Sequence, residues 1–208
     1  MVSRGFYVDS SRCTGCKTCV LACKDYHDLG IDNAYRKVYD YEGGSWAANE
    51  DGSYTQNVFM YHLSIACNHC NVPACTEVCP TGAMHKDDMS IVSVSTDRCI
   101  GCGYCTLACP YHAPHIDSKL KKSSKCNACE ERLLEGRQPI CVEACPLHAL
   151  YFGKMSEISE YFNGGASIAP LPSGSYTSPN LAIRPSPAAR PSGDREGFVA
   201  NILEVEQF

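Results

Sequence analysis

Apolar and polar positions along the chain fall into short blocks separated by turn-forming residues, and each block predicts a short element. Residues 5–9 (GFYVD) are an aromatic and β-branched run with strand character. Residues 18–28 read as a short helix. From residue 35 to 61, YRKVYDYEGGSW, the turn-like NEDG and SYTQNVFMY predict a β-ribbon that reverses near Asp51 and Gly52. IVSV (residues 91–94) and the run PLHALYFG (residues 146–153) carry two further strand signals. The longest mainly apolar run, residues 58–66, is far below the roughly 18 residues of a membrane span. MVSRGFYVDSSRC at the start has no charged region followed by an apolar stretch, so no secretory signal is expected. The chain is expected either to be cytosolic or to be exported together with a partner.

The pattern breaks near the C-terminus. Residues 164–194 hold six of the twelve prolines, which argues against helix or regular sheet and favours extended segments. Such a stretch is either disordered or laid along a partner as a strap, and Tyr176, Leu181 and Ile183 are its anchor candidates.

Composition then changes the picture, because 16 of the 208 residues are cysteine, about 8% of the chain. They form four groups. The first is Cys13, Cys16, Cys19 and Cys23; the second is Cys67, Cys70, Cys75 and Cys79; the third is Cys99, Cys102, Cys105 and Cys109; the fourth is Cys126, Cys129, Cys141 and Cys145. The third, CIGCGYCTLACP, matches C-x2-C-x2-C-x3-C-P, which in two-cluster ferredoxins supplies three thiolates to one [4Fe-4S] cube and the fourth to its neighbour. Gly15 frees the backbone of the first loop to wrap such a cube. YVDSSRC and VSVSTDRC share a strand-then-loop form, an internal repeat.

Group one has an opening strand and group four a closing one, whereas groups two and three are joined by the connector usual inside one ferredoxin unit. The expected fold is therefore α+β, with two ferredoxin-like units, one inserted in the other. Residues 1–34 and 118–160 form the outer unit, 35–66 the β-ribbon, 67–117 the inner unit and 161–208 an extended C-terminal tail contacting partners. Crossed ligation then gives four sets: Cys13, Cys16, Cys19 and Cys145 (set a); Cys126, Cys129, Cys141 and Cys23 (set b); Cys67, Cys70, Cys75 and Cys109 (set c); Cys99, Cys102, Cys105 and Cys79 (set d). Every cysteine is used, so four [4Fe-4S] clusters are expected. The ribbon aromatics, including Trp46, either cover a cluster, meet a partner or make a local mini-core.

Zinc and disulfides compete for the same cysteines. Zinc favours two separated pairs, and C-x2-C-x2-C-x3-C-P is poorly suited to one tetrahedral ion. Cysteines at C-x2-C spacing mostly cannot staple distant segments. The formal charge of −5 falls to about −13 if four clusters each add −2. Arg12, Lys17, Lys24, Arg98 and Lys125, each near a ligand cysteine, are either counter-charges or ordinary surface. Acidic balance and the lack of a sustained basic stretch argue against nucleic-acid binding. Of the histidines at 27, 62, 69, 85, 112, 115 and 148, His69, His112 and His148 lie in or just after cysteine groups, but none is needed as a ligand. No nucleophile–base pattern, phosphate-cradling loop or flavin fingerprint is present, so no catalytic residue is expected in this chain.

The phrases DSSRCTGCKTC, LACKDY, QNVF, ACNHC, PACTEVCP, GAMHK, CIGCGYC, ACPYHAP, PICVEACPL, APLP and RPSGD resemble the iron-sulfur subunit of dimethyl sulfoxide reductase-type molybdoenzymes over nearly the whole chain. The resemblance implies an electron relay between a quinol-oxidising integral membrane anchor subunit and a molybdopterin catalytic subunit. It also implies co-export on the partner's twin-arginine signal, and so a peripheral place on the extracytoplasmic side of the membrane. Related nitrate-reductase-type subunits carry Trp where this chain has Cys102, so four-iron clusters alone are expected here. By the same resemblance set d lies on the quinol side. A relay for a polysulfide, tetrathionate or catechol reductase is the alternative, and a metal-stabilised scaffold without redox function is a third.

Overall fold

In the computed structural model, which describes residues 3–31, 33–161 and 165–206, the chain runs through β1 (Arg4–Asp9), α1 (Thr18–Tyr26), β2 (Lys37–Gly43), β3 (Trp46–Ala48), β4 (Tyr54–Gln56), β5 (Phe59–Ile65), α2 (Ala74–Glu77), β6 (Met84–Lys86) and β7 (Val92–Val94). It continues through α3 (Tyr104–Ala108), β8 (His115–Ile116), β9 (Ser123–Ser124), α4 (Glu130–Leu134), α5 (Ile140–Glu143), β10 (Leu150–Lys154), α6 (Met155–Tyr161), β11 (Leu181–Arg184), β12 (Gly197–Val199) and α7 (Ile202–Glu206). The result is a mixed arrangement of short helices and small sheets around cysteine loops.

β1 is the middle strand of a sheet ordered β10-β1-β11, antiparallel to β10 and parallel to β11. A middle strand covered on both faces should be apolar along its length, and Phe6, Tyr7 and Val8 are all buried. Phe6 lies between Phe152 and Leu181, and Val8 between Leu150 and Ile183, giving one face that joins the main core. The other face sets Tyr7 and Ala182 against Ile158 of α6. Gly5 has no alternative, since a Cβ there would stand 2.0 Å from the Asn180 carbonyl oxygen.

A second sheet, ordered β12-β2-β5, buries Val38, Tyr41, Tyr61, Leu63 and Ile65 against the first. β3 and β4 form a hairpin at the far end of β2 and β5, with the turn at Asp51 and Gly52. Trp46 and Tyr54 on that hairpin are about two-thirds exposed. They belong to no mini-core, whereas Tyr41, Phe59 and Tyr61 pack ring to ring at 5.5–6.2 Å.

The proline-rich stretch departs from expectation. Leu181–Arg184 is a regular strand, because its prolines, Pro179 and Pro185, stand just outside it and β1 offers an apolar edge. Asn180 and Arg184 carbonyls accept from the amides of Phe6 (3.1 Å) and Ser10 (2.9 Å). Leu181 and Ile183, anchor candidates for a partner, are instead buried in the chain's own core; Tyr176 remains exposed. Ile168, Ala169 and Leu171 are buried too, and the Tyr61 hydroxyl donates to the Ala169 carbonyl at 2.6 Å. Further on, β12 adds a strand to β2 and α7 packs on β2. The helix expected over residues 18–28 ends at Tyr26, with Asp28 in the left-handed region.

Candidate iron-sulfur centres

All four cysteine groups open on one backbone device. The third residue of each C-x2-C, Gly15, His69, Gly101 and Ala128, has positive φ (67°, 42°, 70° and 56°). That conformation curls successive N–H groups toward one point, a shape suited to an anion. At Gly101 a Cβ would lie 2.1 Å from the Lys121 carbonyl oxygen, so glycine is required there by contact as well as by φ.

The helices then divide the cysteines. Cys19 and Cys23 sit four residues apart on α1, roughly 6 Å along the helix axis. Cys75 and Cys79, Cys105 and Cys109, and Cys141 and Cys145 repeat that spacing on or just past α2, α3 and α5. α1 packs on α5 and α2 on α3. Each helix pair thus presents four cysteines, two to each of two neighbouring groups of thiols.

Cys13, Cys16, Cys19 and Cys145 line one small hollow, walled also by Val38 and Leu150. Cys79, Cys99, Cys102 and Cys105 line another, with Met84, Val94 and Ile116. The thiol of Cys23 faces Cys126, Cys141 and Cys129, and that of Cys75 faces Cys67, Cys109 and Cys70. The structure therefore brings together the sequence-expected sets a, d, b and c respectively.

Sets a, b and d carry polar groups aimed at their sulfurs. Amides of Ala149, Met84, Ser123 and Ala128 donate at 3.3 Å to the Sγ atoms of Cys145, Cys79, Cys99 and Cys126. The hydroxyls of Ser64 and Ser123 lie 3.3 Å from the sulfurs of Cys19 and Cys105. Burial pushes the thiols of Cys13 and Cys70 up to about 11 and those of Cys75 and Cys129 to about 12. As bare thiols they would keep their protons, so a bound cation would be what makes them thiolates. Thiol donors in fours around a hollow, with amides aimed at the sulfurs, fit a [4Fe-4S] cluster. All sixteen cysteines are free of disulfides.

A family model described as a 4Fe-4S dicluster domain matches residues 58–155, and one for a 4Fe-4S binding domain matches residues 4–25. The chain is 53% identical to the probable anaerobic dimethyl sulfoxide reductase subunit YnfG of Escherichia coli (strain K12), over 97% of this chain and 98% of that one. It is 53% identical to the B subunit of the anaerobic dimethyl sulfoxide reductase of Haemophilus influenzae, over 99% and 100%. The chain belongs to the iron-sulfur subunits of the dimethyl sulfoxide reductase family. A thiosulfate reductase electron transfer subunit of Salmonella typhi is 38% identical over 72% of this chain and 74% of its own length.

Within this iron-sulfur subunit the four sets differ in access. Cys16 of set a and Cys102 of set d are the two exposed cysteines, whereas every ligand of set b is buried and set c reaches partial exposure only at Cys109. Leu21 is exposed beyond Cys16, and Ile100, Tyr104 and Leu107 are exposed around Cys102.

Two cations, Lys125 and Arg36, and one buried histidine lie between the sets. Lys125 is buried next to Cys126 and donates to the carbonyls of Cys126 (2.6 Å) and Val92. His69, fully buried, accepts the Val92 amide on Nδ1 at 3.1 Å, which leaves the proton on Nε2, with the Cys126 sulfur beside the ring. Arg36 is 1% exposed and sits among Cys141, Cys19, Cys126 and Cys23. Burial pulls its pKa down, but those thiolates together outweigh the loss and hold it above its ordinary value.

Of the residues singled out by their place near a cysteine, Lys125 alone among the five cations is buried. Lys17 pairs with Glu204 and Asp40, Lys24 staples the carbonyls of Gly30, Ile31 and Asn33, and Arg12 and Arg98 are exposed. His112 and His148 are exposed turn residues with positive φ, whose amides close back on the carbonyls of Cys109 and Cys145. Sequence reading missed His27, whose Nε2 stands 3.3 Å from the sulfur of Cys129, and Arg36. Arg36 is 13 residues beyond Cys23 in a predicted ribbon, and nothing local marks it.

Proposed function

We propose that this chain is the electron relay of a membrane-bound molybdoenzyme, holding four [4Fe-4S] clusters on sets a to d. It takes electrons at the set d end from a quinol-oxidising integral membrane anchor subunit and delivers them at the set a end to a molybdopterin catalytic subunit. Each cluster, when bound, supplies a one-electron carrier, and a row of them spans the chain.

The observation that carries this reading is the exposure of Cys16 in set a and of Cys102 in set d, while set b is wholly buried and set c reaches partial exposure only at Cys109. The order a, b, c, d is supported by the shared helices. α1 and α5 hold ligands of a and b, α2 and α3 ligands of c and d, and His69 with Lys125 stands between Cys67 and Cys126 where b meets c. The protein's residues exclude water from the middle sets, donate hydrogen bonds to the sulfurs and fix their spacing. They perform no bond chemistry, so the chain is no enzyme by itself.

No described helix is long and apolar enough to cross a membrane. On the relay reading, attachment runs through the anchor subunit, on the extracytoplasmic face after co-export. Similarity over nearly the full length favours a dimethyl sulfoxide reductase-type partner, and the thiosulfate reductase relative keeps a relay for another molybdenum or tungsten reductase as the second reading.

The test uses the assembled complex carrying Cys102→Ser. Reduction driven by a quinol is expected to stop, while partner activity with a small artificial donor persists. If both activities fell together in an assembled complex, the placement of the quinol side at set d would be wrong.

A further inference from the structure

A positive charge taken out of water is costly unless it is paired, and in proteins the partner is normally a carboxylate. Arg36 is a permanent charge with 1% exposure, and among the described residues no carboxylate pairs with it. Its Nη1 donates to the Ser64 carbonyl oxygen (3.2 Å) and hydroxyl (3.1 Å), and its guanidinium lies 4.5 Å from the centroid of the Phe6 ring. Nε and Nη2 have no hydrogen-bond partner that meets ordinary geometry, although both are buried.

The negative charges around it are sulfur. Cys19 belongs to set a, and Cys141, Cys126 and Cys23 belong to set b. Ser64 extends the contact, since the hydroxyl that accepts from Arg36 is itself 3.3 Å from the sulfur of Cys19. A planar fork with two buried donors beyond its Ser64 contacts, reaching toward the sulfur of Cys141 and lying between the two cysteine sets, has the shape and charge to answer both.

We infer that Arg36 is the shared counter-charge of sets a and b and raises the reduction potential of the two clusters they hold. The inference rests on the relay reading above. Taking up one electron changes a cluster bound by four thiolates from −2 to −3, and a fixed positive charge nearby stabilises the more negative state. No proton needs to move, because a guanidinium stays protonated throughout. Set c has Lys125 and His69 among its sulfurs, two groups that also reach Cys126 of set b, so Arg36 is expected to act on the a and b half of the series. Arg36 is thus a positioning residue for electron flow toward the Cys16 end, making the last two carriers easier to fill.

The experiment is a redox titration of the purified complex, followed by electron paramagnetic resonance, with signals assigned through single-ligand variants of each set. Arg36→Gln is expected to lower the reduction equilibrium constant of the set a and set b clusters at least tenfold, about 59 mV for a one-electron step. Clusters c and d should stay where they are. Full iron with unmoved a and b, or an equal shift at all four, would overturn the inference and leave the relay intact. If Arg36→Gln does not retain its iron, Arg36→Lys decides. Full loading, with any shift confined to a and b and smaller than tenfold, supports the counter-charge role. Iron loss in the lysine variant as well, or equal shifts at all four clusters, overturns it. Absence of iron from the wild-type complex would defeat the relay reading itself.

Discussion

Phe6 and Phe152 stand opposite each other across β1 and β10, with ring centroids 4.8 Å apart and both side chains buried. This contact closes the strand that leads into Cys13 onto the strand that leaves Cys145, two cysteines of one set that lie at opposite ends of the cysteine-bearing sequence. Truncating Phe152 to Ala should leave a void beside Phe6 and cost about 3–5 kcal/mol. The measurement is the denaturant midpoint of the iron-loaded complex. A loss below about 1 kcal/mol would mean that the pair does not clamp set a.

Crossed ligation has its own signature. Cys79 belongs to the second cysteine group, but it lines the hollow of Cys99, Cys102 and Cys105. Cys109 belongs to the third group and stands with Cys67, Cys70 and Cys75. Replacing Cys79 with Ser is expected to perturb the resonance that a Cys102 variant perturbs. The Cys109→Ser change should instead act on the one that follows Cys70. Each variant disturbing its own group's cluster would contradict the crossing.

Much of this was readable from spacing alone. Cys19 and Cys23, four positions apart, lie on one face of a helix with one above the other, so their separation along the axis is a matter of local geometry. Opening and closing strands are also local signals, in GFYVD and ALYFG. What stayed hidden is tertiary. β11 is four residues between prolines, and only the apolar edge of β1, far away in sequence, turns it into a strand. Arg36 is the same kind of case: a cation in a strand normally faces water, and its burial depends on sulfurs contributed by α1, α5 and the loop before α4. His69 was visible because it lies inside CNHC, whereas His27 meets Cys129 across 102 residues.

The C-terminal segment is held to the ribbon by a carboxylate lock that sets a pH window. Asp194 accepts from the Tyr41 hydroxyl (2.8 Å) and the Gly197 amide (2.9 Å), where β12 joins β2. The Tyr41 hydrogen bond holds the Asp194 carboxyl below its ordinary value, against a smaller opposing effect of desolvation. A carboxyl depressed in the folded state stabilises above its unfolded pKa of about 3.9 and loses that contribution as pH falls through the folded value. Burial, with Asp194 beside it, pushes Tyr41 up to about 12, so its contribution fades only as pH rises from about 10 toward that value. Amide protection of residues 197–199 by hydrogen exchange, corrected for intrinsic rate, should therefore be flat from about pH 5 to 9. Asp194→Ala should reduce it throughout that window. Protection in the unaltered protein that begins to fall near pH 6.5 would point to a histidine and not to this lock.

The central claim is that sixteen thiols hold four cubes in a row, and counting metal on the anaerobically purified complex tests it most directly. Iron and acid-labile sulfide of the isolated subunit fraction should each come to about 16 per chain, four for each cube, with no three-iron resonance in the oxidised protein as prepared. Zinc in place of iron, about half that iron count, or an intrinsic three-iron signal that survives anaerobic handling would contradict it.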